Sequence, residues 1–201
     1  MNTSAIVLAG GQSKRMGNDK ALLMVGADTF IGIIVRKLFA VTKDVLIVGR
    51  DSDRYQPTLA SFPVRFIKDS FDDCGPLCGL HAGLQAMQHP VGIAVACDAP
   101  LLNTALLQHM ASLLTDDYDA VVPHDSGWHP LHAVYSKRCL SPIEAMIQAG
   151  DLRVQNLIKH IRTRVVNADE VAVFDPQQLS LKNINTPEDY EAMCDAPCDA
   201  P

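Results

Sequence analysis

No run of apolar residues in the 201-residue sequence approaches the roughly 20 that a membrane-spanning helix requires. Positive charge is also scarce: 17 Lys and Arg stand against 23 Asp and Glu, a formal charge of −6. A protein that tracks nucleic acid neutralises backbone phosphates with Lys/Arg patches, so this balance argues against that class. The first residues lack the basic head and cleavage site of a signal peptide and read as a strand and a Gly-rich turn. The expectation is a cytoplasmic protein with no nucleic-acid and no membrane partner. Two phosphate-binding motifs are missing too. A Walker A loop would need G-x4-G-K-[ST], but Gly17 is followed by Asn18-Asp19-Lys20. The absent G-x-G-x-x-G fingerprint disfavours a dinucleotide-dependent dehydrogenase.

What is present is ordinary globular composition, 48% apolar and 20% charged. A chain of this length suits one compact domain and buries roughly two thirds of its unfolded surface without a disulfide or metal staple. The six cysteines do not make a zinc framework. Cys74 with Cys78 and Cys194 with Cys198 are spaced more widely than the usual C-x2-C pair, and Cys97 and Cys139 stand alone. Reduced thiols are the expectation. The tandem Cys-Asp-Ala-Pro repeat over 194–201 has little to bury and reads as a flexible tail.

Along the chain, short apolar runs alternate with segments of helical spacing. Ala5 to Leu8, Val45 to Val48, Val64 to Ile67, Ile93 to Ala96 and Ala120 to Val122 read as strands. Thr29 to Ala40, Pro76 to Met87 and Leu101 to Leu114 read as helices between them. That rhythm implies βαβ units and a mainly parallel, covered sheet, a three-layer α/β/α domain. After Pro123 the pattern loosens. Leu131 to Tyr135 alternates like an antiparallel strand at a mixed edge. Helical pieces are expected at Pro142 to Ala149 and Val154 to Ile161, with short strands near Val165 and over Val171 to Val173. A final helix starts at Pro187, with Thr186 as N-cap.

In an open α/β sheet, ligands bind beyond the carboxyl ends of the strands. The first strand ends in Leu8-Ala9-Gly10-Gly11-Gln12-Ser13-Lys14-Arg15-Met16-Gly17-Asn18-Asp19-Lys20. Glycines let backbone N–H groups approach phosphate oxygens, Ser13 adds a hydroxyl donor, and Arg15 and Lys20 supply two cations. The fourth strand ends in Cys97-Asp98-Ala99-Pro100. A carboxylate there suits Mg2+, which takes one or two carboxylates with substrate phosphates and water, but it equally suits a turn or helix cap.

The L-A-G-G-x-S-x-R-M-G-x-D-K stretch closely resembles molybdenum cofactor guanylyltransferases of the MobA type, within the wider nucleoside-triphosphate transferase fold. The resemblance runs from about Ala5 to Met193 and is tightest in the first hundred residues. It implies a Rossmann-like nucleotidyltransferase fold with a mostly parallel mixed sheet. A single domain over 1–193 would hold an NTP half (1–123) and an acceptor half (124–193). It also implies Mg2+ as cofactor on Asp98, and a nucleotide site formed by Leu8, Ala9, Gly10, Gly11, Ser13, Lys20, Asp69 and Asp98. Arg15, Lys20 and Asp98 would be catalytic. The segment from Gly75 to Gly79 would bring backbone close to an anion at a helix N-terminus. His129 in the H-P segment, with His132 nearby, Arg153, and Asn183 and Asn185 of the N-x-N-T-P-E motif would face the acceptor. Where some relatives place a nucleotide-contacting Asn, this sequence has Val48, a departure from the pattern.

The implied reaction moves GMP from GTP to molybdopterin, or to molybdopterin carrying molybdenum, and releases pyrophosphate. Molybdenum-insertion proteins or recipient molybdoenzymes are the partners it points to. Two rivals stand beside it. A cytidylyl- or uridylyltransferase of the same fold is disfavoured by Gly10-Gly11, where cytidylyl relatives usually read L-A-A-G. A non-catalytic nucleotide-binding module is disfavoured by the intact Arg15, Lys20 and Asp98.

Overall fold

The apolar runs of the first half become parallel strands that are buried on both faces, which requires a helical layer on each side. The computed structural model describes residues 2–9, 19–69 and 75–195. Strand β1 (Thr3–Leu8) is followed by the small hairpin β2 (Met24–Val25) and β3 (Asp28–Thr29), then helix α1 (Phe30–Phe39), β4 (Asp44–Val48) and β5 (Arg65–Ile67). Next come α2 (Gly75–Ala86), β6 (Val91–Ala96), α3 (Thr104–Leu113), β7 (Ala120–His124) and β8 (His132–Ser136). The chain closes with α4 (Leu140–Gln148), β9 (Thr163–Asn167), α5 (Ala168–Phe174) and α6 (Pro187–Asp195).

The main sheet has the order β5-β4-β1-β6-β8-β7-β9. All its pairings are parallel except the two made by β8, so β8 alone runs against the rest. From β1 the chain first moves outward through β4 and β5, then returns to place β6 on the other side of β1. The order therefore reverses between β1 and β6, and at such a switch point a crevice opens at the carboxyl edge.

Side chains two apart on a strand share a face. Ala5 and Val7 of β1 pack into one core with Ile31, Ile34 and Leu38 of α1 and Leu106, Leu107 and Met110 of α3. Ile6 and Leu8 pack into the other with Leu77, Leu80 and Leu84 of α2 and Ile143 and Met146 of α4. The three-layer expectation holds. Thr29 starts α1 by accepting from the Gly32 N–H at 3.1 Å. Helix α2 lies close against β1 because two of its three glycines face that strand. A Cβ on Gly83 would overlap Ile6 Cγ2, and one on Gly79 would stand 3.0 Å from Leu8 Cδ2. The room at Gly79, expected to admit an anion, is taken by Leu8.

Charge at the amino edge is structural. Asp44 accepts from Ser4 Oγ at 2.5 Å, Arg65 Nη2 at 2.7 Å and the Gln88 N–H at 2.9 Å, tying together β1, β4, β5 and the chain after α2. Asp119 does the same between Arg138 and Arg162, each at 2.8 Å.

Several expectations need correction. Val171 to Val173 lies in α5, not in a strand. Asn167 accepts from the Glu170 N–H at 2.9 Å while the Glu170 carboxylate takes the Asn167 N–H, and this capping box commits the segment to helix. The antiparallel strand is present, but between β6 and β7 rather than at an edge. The helical piece after Arg153 is a 3-10 turn, Val154–Lys159. The β2–β3 hairpin was not foreseen. Cys97 and Cys139 are free thiols, whereas Cys78 is disulfide-bonded, against the expectation of reduced thiols throughout. Thr186 caps α6 as expected, accepting from the Asp189 N–H at 3.1 Å. Among the described residues, no helix is long and apolar enough to cross a membrane.

Candidate active site

Lys20 enters the carboxyl edge of the sheet on a 3-10 turn, Lys20–Leu22, that Asp19 caps by accepting from the Ala21 N–H at 3.1 Å. Its ammonium donates to Asn185 Oδ1 at 2.6 Å and lies 3.4 Å from Asp98 Oδ2. These three residues come from the segments after β1, after β6 and before α6. They meet at the β1/β6 switch point because the Cys97 N–H donates to the Leu8 carbonyl at 3.2 Å and the Ile184 N–H to the Asp98 carbonyl at 2.9 Å.

Asp98 is not a helix cap, since Asn103 caps α3 by accepting from the Leu106 N–H at 3.0 Å. Its Oδ1 is buried and has no hydrogen-bond partner among the described residues. Burial lifts the carboxyl above its ordinary range, although the Lys20 ammonium pulls the other way. A carboxylate held in low dielectric with one oxygen unused is a strong ligand for a hard cation. The turn carrying it is fastened by Lys37, whose ammonium donates to the carbonyls of Pro100 at 3.2 Å and Leu102 at 3.1 Å. The neighbouring Cys97 thiol is pushed up to about 12 by burial and is no thiolate nucleophile.

Beside this cluster lies a cavity of about 430 Å³, walled by the turn before β8, the start of α2 and the segment around Arg153. His129, Arg153 and Asn183 all line it. Asn183 and Asn185 flank the buried Ile184; Asn183 lines the cavity, whereas Asn185 does not line it and accepts from Lys20 instead. His129 Nε2 is 2.9 Å from Asp125 Oδ1. Burial works to raise the Asp125 carboxyl, but the bonds from His129 and the Gly127 N–H outweigh it and bring it to about 2.

His132 forms part of the cavity wall, 4% exposed, with neither ring nitrogen partnered among the described residues. Burial pulls its pKa down to about 4. The folded protein thus prefers the neutral ring, and its contribution to stability is complete above the unfolded value of about 6.5 and is lost as pH falls toward 4. The full loss amounts to about 3 kcal/mol. We expect His132→Leu to flatten the fall in unfolding free energy between pH 7 and pH 4 by that amount in urea titrations. Parallel curves for the two proteins would refute it.

Other expected site residues fall differently. Leu8 and Ala9 are buried at the end of β1, and the Ala9 N–H donates to the Val48 carbonyl at 2.8 Å. Val48 itself is a core residue, 1% exposed and packed under α2. Asp69 follows β5 half-buried, its N–H 3.4 Å from the Gly49 carbonyl. Gly10, Gly11, Ser13 and Arg15 lie outside the described residues, as do Cys74, Cys198 and most of the tail. Sequence reasoning missed Lys37, Arg54 and Tyr55. Tyr55 alone carried a signal, as an aromatic residue in a segment rich in charge.

The family model of the MobA-like NTP transferase domain matches residues 5–169. The chain belongs to this family. Two relatives of this MobA-like transferase match along nearly their whole length. The probable molybdenum cofactor guanylyltransferase of Methanothermobacter thermautotrophicus is 38% identical, covering 92% of this chain and 96% of that one. The molybdenum cofactor guanylyltransferase of Desulfosudis oleivorans is 34% identical, over 94% and 92%. The crystal structure of molybdopterin-guanine dinucleotide biosynthesis protein A from Archaeoglobus fulgidus shares the fold. It has a TM-score of 0.82 at 24% identity and covers 94% of this MobA-like chain and 95% of its own.

Proposed function

We propose that this MobA-like transferase moves GMP from GTP to the terminal phosphate of molybdopterin, with or without bound molybdenum. The observation that carries the reading is the Lys20–Asp98–Asn185 cluster at the switch point, directly beside a cavity walled by His129, Arg153 and Asn183. The names of the relatives supply the nucleotide and the acceptor.

An oxygen of the acceptor phosphate attacks the α-phosphorus of GTP. The new P–O bond forms as the bond to the bridging oxygen breaks, and pyrophosphate leaves. The nucleophile is already an anion at neutral pH, so the chain contributes positioning and charge rather than a covalent intermediate. Lys20 neutralises charge that builds on the leaving pyrophosphate, together with Arg15, while the amides of Gly10 and Gly11 and the Ser13 hydroxyl hold the phosphates. Leu8, Ala9 and Asp69 would frame the nucleotide. Arg153, His129 and Asn183, which line the cavity, would meet the acceptor there.

The buried Oδ1 of Asp98, which no described residue hydrogen-bonds, fits a hard divalent cation, with Asp98 as its protein carboxylate. When bound, Mg2+ supplies Lewis-acid charge to the phosphate oxygens. In this reading residues 1–123 serve the nucleotide and 124–193 the acceptor, and Lys20 with Asn185 joins the two parts. Molybdenum-insertion proteins or recipient molybdoenzymes would be its partners.

The test is pyrophosphate release from each of the four NTPs with molybdopterin, followed by the mass of the product. GTP should be preferred and should yield the guanine dinucleotide. Preference for CTP would make the protein a cytidylyltransferase, and no release with any NTP would make it a binding module.

A further inference from the structure

The hydroxyl of Tyr55 sits where the two ends of the Gly-rich segment come back together. Tyr55 ends the 3-10 turn Ser52–Tyr55 after β4 and is wholly buried. Its phenol donates to Asp19 Oδ2 at 2.8 Å, and the Ala9 carbonyl lies 3.5 Å from the phenol oxygen. Ala9 is the last described residue before the segment and Asp19 the first after it. Arg54 completes the arrangement, with Nη2 at 2.6 Å from the phenol oxygen and 2.7 Å from Asp19 Oδ2.

Asp19 uses its other oxygen, Oδ1, to cap the turn that begins with Lys20. One carboxylate is therefore fixed on one side by the Arg54–Tyr55 pair and on the other fixes the backbone that aims Lys20. We propose that Tyr55 and Arg54 are positioning residues, which set the Lys20 ammonium between Asp98 and Asn185 through the Asp19 carboxylate. The phenol has one proton, and the 2.8 Å contact to Asp19 takes it. Burial raises the phenol pKa well above its ordinary value, so the proton stays on oxygen throughout the neutral range. The bond to Asp19 is thus always of one polarity. A Tyr55 that only filled the core would need its ring and not its hydroxyl.

The effect on catalysis rests on the nucleotidyl-transfer reading, whereas the effect on Lys20 does not. Tyr55→Phe keeps the ring and removes the hydroxyl, and Arg54→Gln removes the cation from a half-exposed position. In the protein without substrates, Lys20 has a side chain 14% exposed and should react slowly with an amine-acylating reagent. In either variant its rate, read peptide by peptide by mass spectrometry, should rise about 5-fold, the factor one lost hydrogen bond carries. Exposed Lys159 serves as the internal control.

Turnover gives the second measurement. Tyr55→Phe should lower kcat for pyrophosphate release about 10-fold with a smaller rise in KM for GTP than Lys20→Ala gives, because the Lys20 charge is displaced and not removed. In a Lys20→Ala background the same change should have no further effect, since the group it positions is gone. Unchanged Lys20 reactivity in both variants would overturn the proposal, as would a kcat loss that adds fully to that of Lys20→Ala. A wild-type protein that releases no pyrophosphate with any NTP would overturn the transfer reading instead, and the acylation contrast would still decide the positioning role.

Discussion

Asp98→Asn should lower Mg2+-dependent pyrophosphate release by about 10³-fold, the several kcal/mol that a metal ion contributes to stabilising charge in phosphoryl chemistry. The substitution keeps the size of the side chain and one oxygen, but removes the charge that makes that oxygen a ligand for a hard cation. Folding should survive. The backbone of Asp98 stays pinned by the Ile184 N–H at 2.9 Å, and the turn after it stays pinned by Lys37 on Pro100 and Leu102. Stability at pH 7 should not fall. The carboxyl is raised above its ordinary range, so the folded state carries the charged form at a disadvantage that an amide does not have. For the wild type that disadvantage shrinks as pH drops toward the raised value, whereas the variant should show no such gain. Pyrophosphate release against Mg2+ concentration, with urea unfolding alongside, measures both. An unchanged Mg2+ dependence would place the cation elsewhere, with Asp69 the next carboxylate to test.

Lys20→Ala should cost about 10²-fold in kcat, the scale of removing one preorganised charge from a transition state. The ammonium stands 2.6 Å from Asn185 and 3.4 Å from Asp98, mostly out of solvent, so its charge acts where water screens it little. KM for GTP should rise as well, because the same cation meets the triphosphate before reaction. Stability should change by no more than about 1 kcal/mol. Asn185 is held independently, its N–H donating to Asp189 Oδ2 at 3.0 Å, and the side chain of Lys20 fills no core. Circular dichroism melts separate this outcome from unfolding. Full activity, or a variant that no longer folds, would remove Lys20 from the proposed chemistry.

The first half of the fold was legible because its signals are local. Ala5 to Leu8, Val45 to Val48 and Ile93 to Ala96 are apolar runs too short for helices, and each is followed within two residues by a Gly or Asp that ends a strand. Cap chemistry was legible at Thr186 for the same reason. It was overlooked at Asn167, where an apolar trio read as a strand although the capping box lay just upstream. The position of β8 was not legible, since the antiparallel pattern says that one neighbour runs the other way but not which strands those neighbours are. The departure at Val48 was visible as a missing amide. Only the packing under α2 shows the side chain occupying core, where it contributes to burial.

The sequence by itself determined the alternation of strands and helices, the Gly-rich segment with its cations, and the carboxylate at the end of β6. Each of these depends on residues within a turn or two of one another. The tertiary structure alone decided that Lys20, Asp98 and Asn185 form one cluster. It alone left one oxygen of Asp98 buried without a partner among the described residues, and put Tyr55 and Arg54 on Asp19. Those contacts join residues far apart in the chain. They follow from the return of β6 to the side of β1, a choice of strand order that no local propensity encodes.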